Sequence, residues 1–172
     1  MSKKHPIIAI TGSSGAGTTT VKRAFEHIFR RENTTPVIVE GDSFHRYNRA
    51  EMREAMMKAE AGGNRNFSHF GAEANLFEEL EKTFRTYGET GKGKKRYYLH
   101  SDEEAAEHNE RLGTGLKAGE FTPWEDIPGG TDLMFYEGLH GGVVTDKADV
   151  AKWVDLLVGV VPVVNLEWIQ KI

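Results

Sequence analysis

The chain has 172 residues, a formal net charge of −4 and 38% hydrophobic residues, values typical of one soluble globular domain with a substantial core. The negative charge argues against a nucleic-acid binder, although a local basic cluster could still bind a phosphorylated metabolite, so small anions are the expected partners. The absence of cysteine excludes disulfides, thiolate metal sites and thiol redox switches.

The start of the sequence is not expected to act as a targeting signal. Only four apolar residues, 7–10, separate the polar beginning from Thr11. This run is too short for a signal peptide or a membrane span, so we expect a cytoplasmic protein that does not interact with membranes.

The apolar, β-branched run at residues 7–10 gives way to glycines and then to a helical pattern, which predicts the order strand, phosphate loop, helix. Glycines let successive backbone N–H groups turn towards a phosphate, and the N-terminal end of the helix adds positive potential. A glycine-rich turn without a ligand is the alternative, but the apolar stripe at residues 21–29 favours a nucleotide site. The predicted nucleotide-binding residues are Gly12, Ser13, Ser14, Gly15, Ala16, Gly17, Thr18, Thr19 and Thr20.

The loop departs from the phosphate-loop pattern G-x-x-x-x-G-K-[ST] at one position. Gly12, Gly17 and Thr19 fit the pattern, whereas Thr18 stands where lysine is expected. Thr19 keeps a hydroxyl for Mg²⁺, but the loop lacks the cation that normally reaches the β- and γ-phosphates. Another basic residue would have to replace that lysine.

A second strand is predicted at residues 37–40, after a helix that ends at about residue 32. It ends at Gly41 and Asp42. Ligands of open α/β sheets bind outside the carboxyl ends of the strands, so Asp42 is expected close to the phosphate loop. There it could accept a proton from a substrate hydroxyl, or it could merely cap a helix.

Three cations follow this acid at His45, Arg46 and Arg49. Arginine binds phosphate through its planar fork, so the cluster predicts an acceptor that already carries a phosphate. The alternative is a solvated basic face at the start of a helix. His69 and His140 are weaker candidates, because a lone loop histidine is more often a surface or packing residue.

The middle of the chain predicts helices at residues 50–61 and about 76–87. A second match to G-x-x-x-x-G-K at residues 88–94 has a helix before it and a strand after it, which is the reverse of a phosphate loop. We interpret it as a solvated turn.

An insertion is predicted at about residues 88–130 of a single kinase domain, 1–172. Ser101 begins a short helix there. Residues 121–124 could pair with residues 96–100 as a β-ribbon outside the main sheet.

The last third of the chain predicts a buried strand at residues 133–137, which ends on Glu137. An acid at the end of an apolar strand needs a partner, so Glu137 is predicted to bind Mg²⁺, with a structural ion pair as the alternative. Residues 145–153 look helical. Residues 156–164 form an apolar run that Pro162 should cut or bend, and a further helix opens at about residue 165.

Together these elements predict a P-loop NTPase-type three-layer α/β/α fold. Its mainly parallel sheet would contain strands near residues 7–11, 37–40, 133–137 and 156–161, and it would be incomplete at the C-terminus.

Four segments together resemble bacterial phosphoribulokinases and, more distantly, the uridine kinases of the same branch of P-loop kinases. The replacement of the usual lysine by Thr18 recurs in that family together with the Gly41-Asp42 pair and the Tyr136-Glu137-Gly138 motif. The segments are residues 12–20, 40–49, 135–141 and 160–171.

The resemblance implies transfer of the γ-phosphoryl group of ATP to O1 of D-ribulose 5-phosphate, the Calvin cycle step that forms ribulose 1,5-bisphosphate for carbon fixation. It implies that residues 12–20 hold ATP, that Asp42 is the catalytic base, and that Glu137 serves Mg²⁺. His45 and Arg49 would hold the sugar phosphate, and Lys171 would be a further cation near the phosphates.

The lack of the regulatory cysteine pair of plant-type enzymes implies the bacterial type, which is octameric and allosterically controlled by NADH and AMP. Family chains continue past Ile172 into a helix with further arginines and an aspartate and then into more sheet. We therefore expect a C-terminally truncated chain that binds ATP weakly and turns over negligibly alone.

Two other functions stay open beside the sugar-phosphate kinase. One is a non-catalytic remnant that binds nucleotide or assembles with other subunits. The other is a nucleoside kinase, which is disfavoured because Arg46, Arg49 and Arg65 supply more positive charge than an uncharged nucleoside needs.

Overall fold

A computed structural model describes residues 4–13 and 15–161 of the chain. Short 3₁₀ helices at Gly41–Phe44, Ala72–Ala74 and Ala151–Trp153 supplement the main helices and strands. In chain order the main elements are β1 (Ile7–Gly12), α1 (Thr18–Arg31), β2 (Pro36–Glu40), α2 (Arg49–Ala61), α3 (Phe77–Thr90), β3 (Lys94–Lys95), α4 (Asp102–Leu112), β4 (Glu125–Asp126), β5 (Leu133–Gly138) and β6 (Leu156–Val160).

The central sheet contains β2, β5, β1 and β6 in that spatial order, and all its pairings are parallel. The four predicted strands and their parallel arrangement are therefore confirmed. Because the strands are parallel, their carboxyl ends meet at one edge of the sheet. At that edge the phosphate loop follows β1, Gly41 follows β2, and Glu137 lies near the end of β5.

Alternate residues of β1, β2 and β5 face opposite sides of the sheet and belong to two separate buried clusters. On one side Phe25 and Phe29 of α1 pack against Phe135, with ring centroids 5.3 Å apart in both pairs. On the other side Phe84 of α3 contacts Tyr136, with centroids also 5.3 Å apart. Helices thus cover both faces, which gives the predicted three-layer α/β/α fold.

A small antiparallel ribbon lies outside the main sheet. β3 pairs with β4, and Tyr98 forms a bridge with Phe121. Hydrogen bonds from Leu99 N to Glu120 O (2.9 Å) and from Thr122 N to Tyr97 O (2.9 Å) extend the pairing. The segments predicted to form a ribbon, residues 96–100 and 121–124, do therefore pair. The division of the chain into a domain and an insertion stays a prediction.

The helix predicted at residues 145–153 is wrong. Val144 instead bridges Asp149, and the only helical turn in this stretch is the short 3₁₀ helix at Ala151–Trp153. The Thr145 hydroxyl accepts hydrogen bonds from the N–H groups of Lys147 (3.3 Å) and Ala148 (3.0 Å). This side-chain turn offers the backbone an alternative to helical hydrogen bonds.

Two expectations from the sequence fall outside the described residues: the break at Pro162 and the helix from residue 165. Within residues 4–13 and 15–161, no helix is both long enough and apolar enough to cross a bilayer.

Candidate active site

A cavity of about 700 Å³ opens at the carboxyl edge of the sheet. Its lining residues come from the phosphate loop, from the segments after β2 and β5, and from the ribbon, which contributes Tyr98 and His100. Its walls are largely polar, and the residues most relevant to chemistry are Gly12, Thr19, Asp42, Arg49, His100 and Glu137. The volume is large enough for a nucleotide or a sugar phosphate.

The phosphate loop turns through two glycines with positive φ, Gly15 (81°) and Gly17 (98°). A hydrogen bond from Ala16 N to Ser13 O (2.9 Å) closes the turn. A side chain at Gly12 would place a Cβ 2.8 Å from the backbone oxygen of Val160, so only glycine fits between β1 and β6. These local requirements explain the glycine spacing seen in the sequence.

The predicted loop residues divide into two groups. Gly12, Ser13, Gly15, Thr18 and Thr19 line the cavity, and Ser14 lies outside the described residues. The three other predicted residues, Ala16, Gly17 and Thr20, shape the turn or the start of α1 without lining the cavity.

Asp42 is placed by a close contact between two strand ends. A Cβ on Gly41 would lie 2.5 Å from the Tyr136 hydroxyl oxygen and 2.9 Å from the Cα of Gly138. The backbones after β2 and within the end of β5 therefore approach each other directly. This contact fixes the short 3₁₀ helix that carries Asp42, and it puts Asp42 and Glu137 in one cavity.

Two histidines face the Asp42 carboxylate. His45 Nε2 lies 3.4 Å from Oδ1, and His100 Nε2 lies 3.5 Å from Oδ2. The hydrogen bond from His45 holds the pKa of Asp42 below its usual value, although burial opposes that shift. Asp42 is therefore an ionised acceptor at neutral pH, and about half of its side chain is exposed to the cavity.

Asn75 fixes the orientation of His45 through Nδ1, the ring nitrogen that does not face Asp42. The Asn75 amide nitrogen donates to the backbone oxygens of His69 and Gly71, both at 2.8 Å. Its Oδ1 therefore faces His45 Nδ1 at 2.8 Å, so Nδ1 is the donor and carries a proton. Burial lowers the pKa of His45, but hydrogen bonds to Asp42 and Asn75 outweigh burial and raise it. The raised pKa favours the imidazolium form, in which Nε2 also carries a proton and can donate to the Asp42 carboxylate.

Arg96 holds the loop after β2 in place from the ribbon. Its Nε donates to Ser43 O and its Nη2 to His45 O, each at 2.7 Å. The guanidinium stacks on the rings of Phe121 (3.8 Å to the centroid) and Trp124 (4.7 Å). Burial lowers the pKa of Arg96 to about 10, so the group remains charged at neutral pH. The structure thus ties the position of Asp42 and His45 to the ribbon.

The structure separates the arginines that the sequence grouped together. Arg49 lines the cavity and donates to the backbone oxygen of His100 at 3.0 Å. Arg46 instead donates to the backbone oxygens of Glu73 (3.0 Å) and Asn75 (3.3 Å). Arg65 lines a different cavity, beside α2. The expectation that Arg46 and Arg65 add positive charge to the site is therefore wrong, because their side chains lie elsewhere.

Two glutamates lie side by side at the end of the sheet near the phosphate loop. Glu40 and Glu137 are register partners on β2 and β5. Glu40 forms an ion pair with Lys22 of α1, with 3.0 Å between Oε1 and Nζ, and all three side chains line the cavity. Among the described residues, no group of three or more His, Asp and Glu side chains is arranged as a metal cluster.

Sequence reasoning missed several residues of the cavity, including Lys22, Glu40, Tyr98 and His100, and it ranked His140 low. His140 donates its backbone N–H to the Tyr136 hydroxyl (3.3 Å), and burial lowers the pKa of its imidazole. The predicted ribbon was the one available signal for His100, but the pattern could not show that the ribbon folds over Asp42. Lys171, the remaining predicted cation, lies outside the described residues.

Comparisons with known proteins agree with this arrangement. The family model described as "Phosphoribulokinase / Uridine kinase family" matches residues 7–172. The chain is 64% identical over its whole length to the chromosomal phosphoribulokinase of Cupriavidus necator and 62% identical to the phosphoribulokinase of Nitrobacter vulgaris. The solved structure of phosphoribulokinase from Rhodobacter spheroides superposes on 99% of the chain with a TM-score of 0.84 and 50% identity.

The chain covers 57% of the length of those two relatives and 56% of the solved structure. The matches nevertheless include every described element, from β1 to β6. The parallel sheet, the phosphate loop without its lysine and the acid-bearing strand ends thus occur in a chain that belongs to the phosphoribulokinase/uridine kinase family.

Proposed function

We propose that this chain forms the ATP- and base-bearing part of a kinase that phosphorylates D-ribulose 5-phosphate to ribulose 1,5-bisphosphate, the carbon-fixation step of the Calvin cycle. The observation that carries the proposal is the shared cavity of the phosphate loop and Asp42, an ionised acceptor held between His45 and His100. The phosphoribulokinase names of relatives up to 64% identical supply the acceptor.

Asp42 takes the proton of the attacking hydroxyl in this proposal. As the bond between the acceptor oxygen and the γ-phosphorus forms, the bond from that phosphorus to the β,γ-bridging oxygen breaks, and ADP leaves. The lowered pKa of Asp42 keeps the carboxylate free of a proton before the reaction. Asp42 would therefore contribute to catalysis mainly through its fixed position and its negative charge, and less through high basicity.

The donor set near the loop fits Mg²⁺, which usually keeps several waters and takes one or two carboxylates together with substrate phosphates. Glu137 and Thr19 both line the cavity and would hold the ion. Bound there, Mg²⁺ would neutralise charge on the phosphoryl oxygens of ATP.

Arg49 and His45 are the proposed contacts of the phosphate already present on the acceptor. Both line the cavity near Asp42, since His45 faces the Asp42 carboxylate directly and Arg49 donates to the backbone of His100, whose ring also faces it. An acceptor phosphate held by these two side chains would lie close to the proposed base. Lys171, an octameric assembly, control by NADH and AMP, and a cytoplasmic location stay predictions from the family resemblance.

Activity can be tested in a chimera in which this chain is followed by the remaining residues of the Cupriavidus necator relative. We expect ADP production that depends on ribulose 5-phosphate, and not on uridine. Asp42→Asn should lower kcat by about 10²- to 10⁴-fold and leave ATP affinity nearly unchanged.

Other results of this experiment would identify a different function for the chain or a different role for Asp42. Activity with uridine would identify a nucleoside kinase, an alternative against which Arg46 and Arg65 do not argue, because their side chains lie outside the cavity. ATP binding without turnover in the chimera would favour a non-catalytic nucleotide-binding protein. Near wild-type turnover in Asp42→Asn would show that Asp42 is not the base.

A further inference from the structure

The cavity contains few permanent cations. Of the described residues that line it, only Lys22 and Arg49 are lysine or arginine. Arg49 lies on the acceptor side, where it donates to His100 O. Lys22 lies on the side of the phosphate loop, where the usual lysine is replaced by Thr18.

Lys22 occupies the helical position that best compensates for this replacement. It follows Thr18 by four residues on α1, so the two side chains lie on the same face of the helix, about 6 Å apart along its axis. Both line the cavity. Thr18 itself is turned towards β1, since a Cβ on Gly12 would lie 2.9 Å from its methyl carbon.

The Lys22 ammonium group is held in place by Glu40. Its Nζ lies 3.0 Å from Glu40 Oε1, and 19% of the Lys22 side chain is exposed. An ammonium group has three N–H donors, and this hydrogen bond uses one of them. The remaining donors can reach an anion in the cavity while the ion pair persists.

We propose that Lys22 supplies to the phosphates of a bound nucleotide the cation that the loop lacks at Thr18, and that Glu40 orients its ammonium group while partly neutralising it. This inference rests on the proposed function, because it requires that the cavity binds a nucleoside triphosphate. It assigns two opposite effects to one ion pair. Removing Lys22 weakens phosphate binding, and removing the charge of Glu40 strengthens it.

The test is isothermal titration of the chimera described above with ATP and with AMP in the presence of Mg²⁺. Lys22→Met should weaken ATP binding about 10- to 150-fold, the loss expected for a hydrogen bond to a charged group, and should change AMP binding by less than about 3-fold. Lys22→Arg keeps the charge and should restore most of the ATP affinity. Glu40→Gln should tighten ATP binding severalfold.

Lys82→Met is the matched control, because Lys82 also forms an ion pair, with Glu79 at 3.2 Å, but lies on α3 away from the cavity. It should bind ATP like the unsubstituted chimera. Equal losses of ATP affinity in Lys22→Met and Glu40→Gln would show a purely structural ion pair and overturn the inference. So would ATP binding by Lys22→Met within about 3-fold of normal.

The two proposals fail in different ways. If the unsubstituted chimera, shown to be folded by circular dichroism, binds neither ATP nor AMP, the proposed function is overturned and the role of Lys22 with it. If it binds ATP and Lys22→Met binds equally well, only the role of Lys22 is overturned. If Lys22→Met does not fold, Glu40→Gln still decides, because a structural ion pair predicts a loss of ATP affinity and the inference predicts a gain.

Discussion

Replacing Arg96 by methionine tests how strongly the ribbon holds the loop that carries Asp42. Methionine keeps an apolar stem of similar length but removes the donors to Ser43 O and His45 O. A hydrogen bond from a charged group contributes about 1.5 to 3 kcal/mol, and the stacking on Phe121 and Trp124 adds to this. Relief from burying a charge offsets part of the loss. We expect Arg96→Met to lower the free energy of unfolding by about 3 kcal/mol.

Urea denaturation followed by tryptophan fluorescence measures this change. With a slope of about 2 kcal/mol per molar urea, the midpoint should fall by about 1.5 M. The control is Arg111→Met, which removes an ion pair to Glu125 (2.7 Å) from an exposed position and should cost less than about 1 kcal/mol. A midpoint for Arg96→Met no lower than that of Arg111→Met would refute the reasoning.

The same variant should alter the titration of His45. The positive charge of Arg96 lowers the pKa of His45, so its removal should raise that pKa further, provided the loop keeps its position. An NMR titration of the imidazole protons measures the shift. An unchanged or lower pKa would contradict the arrangement described here.

Three further predictions concern the site. In the chimera, Arg49→Ala should raise the KM for ribulose 5-phosphate by roughly 10-fold or more and leave that for ATP nearly unchanged, because its proposed partner is the acceptor phosphate; a shift in the ATP dependence would place Arg49 at the nucleotide end. Gly41→Ala should destabilise the chain by about 1 to 3 kcal/mol in urea denaturation, because its Cβ would lie 2.5 Å from the Tyr136 hydroxyl oxygen, and an unchanged midpoint would contradict that contact. The Asp42–His45 pair should stabilise the fold most between about pH 4 and 6.5. Because the pKa of Asp42 is lowered, its contribution is lost as the pH falls through that pKa; because the pKa of His45 is raised, its contribution is lost as the pH rises through that pKa. His45→Gln should therefore remove the alkaline part of the pH dependence in urea midpoints measured from about pH 5 to 9.

Local pattern was enough to predict the sheet and the loops at its edge. The apolar runs ending at Gly12, Asp42 and Glu137 are short-range signals. Parallel pairing of these strands brings their carboxyl ends together, and this does not depend on side chains in other segments. The residues that complete the site come from distant segments. His100 reaches Asp42 only because the ribbon folds over the loop, and nothing in the sequence around residue 100 encodes that placement.

The remaining errors have the same origin. Arg46 looked like a phosphate ligand because it follows Asp42 closely, but the backbone oxygens of Glu73 and Asn75 satisfy its guanidinium. Residues 145–153 had helical composition, but the Thr145 hydroxyl captures the backbone N–H groups that would begin a helix. In both places hydrogen bonds formed in the folded chain give the residues a different role from the one that their residue types predict.

His100 joins two parts of the site through opposite ends of one residue. Its backbone oxygen accepts from Arg49 at 3.0 Å, and its imidazole lies 3.5 Å from the Asp42 carboxylate. An anion that draws the Arg49 guanidinium away from this oxygen therefore disturbs the residue that faces the proton acceptor. Coupling of this kind is reciprocal, so the charge on Asp42 changes the affinity of Arg49 for an anion by the same factor that the anion changes the proton affinity of Asp42. Binding of an anion by Arg49 and protonation of Asp42 are therefore linked in one thermodynamic cycle.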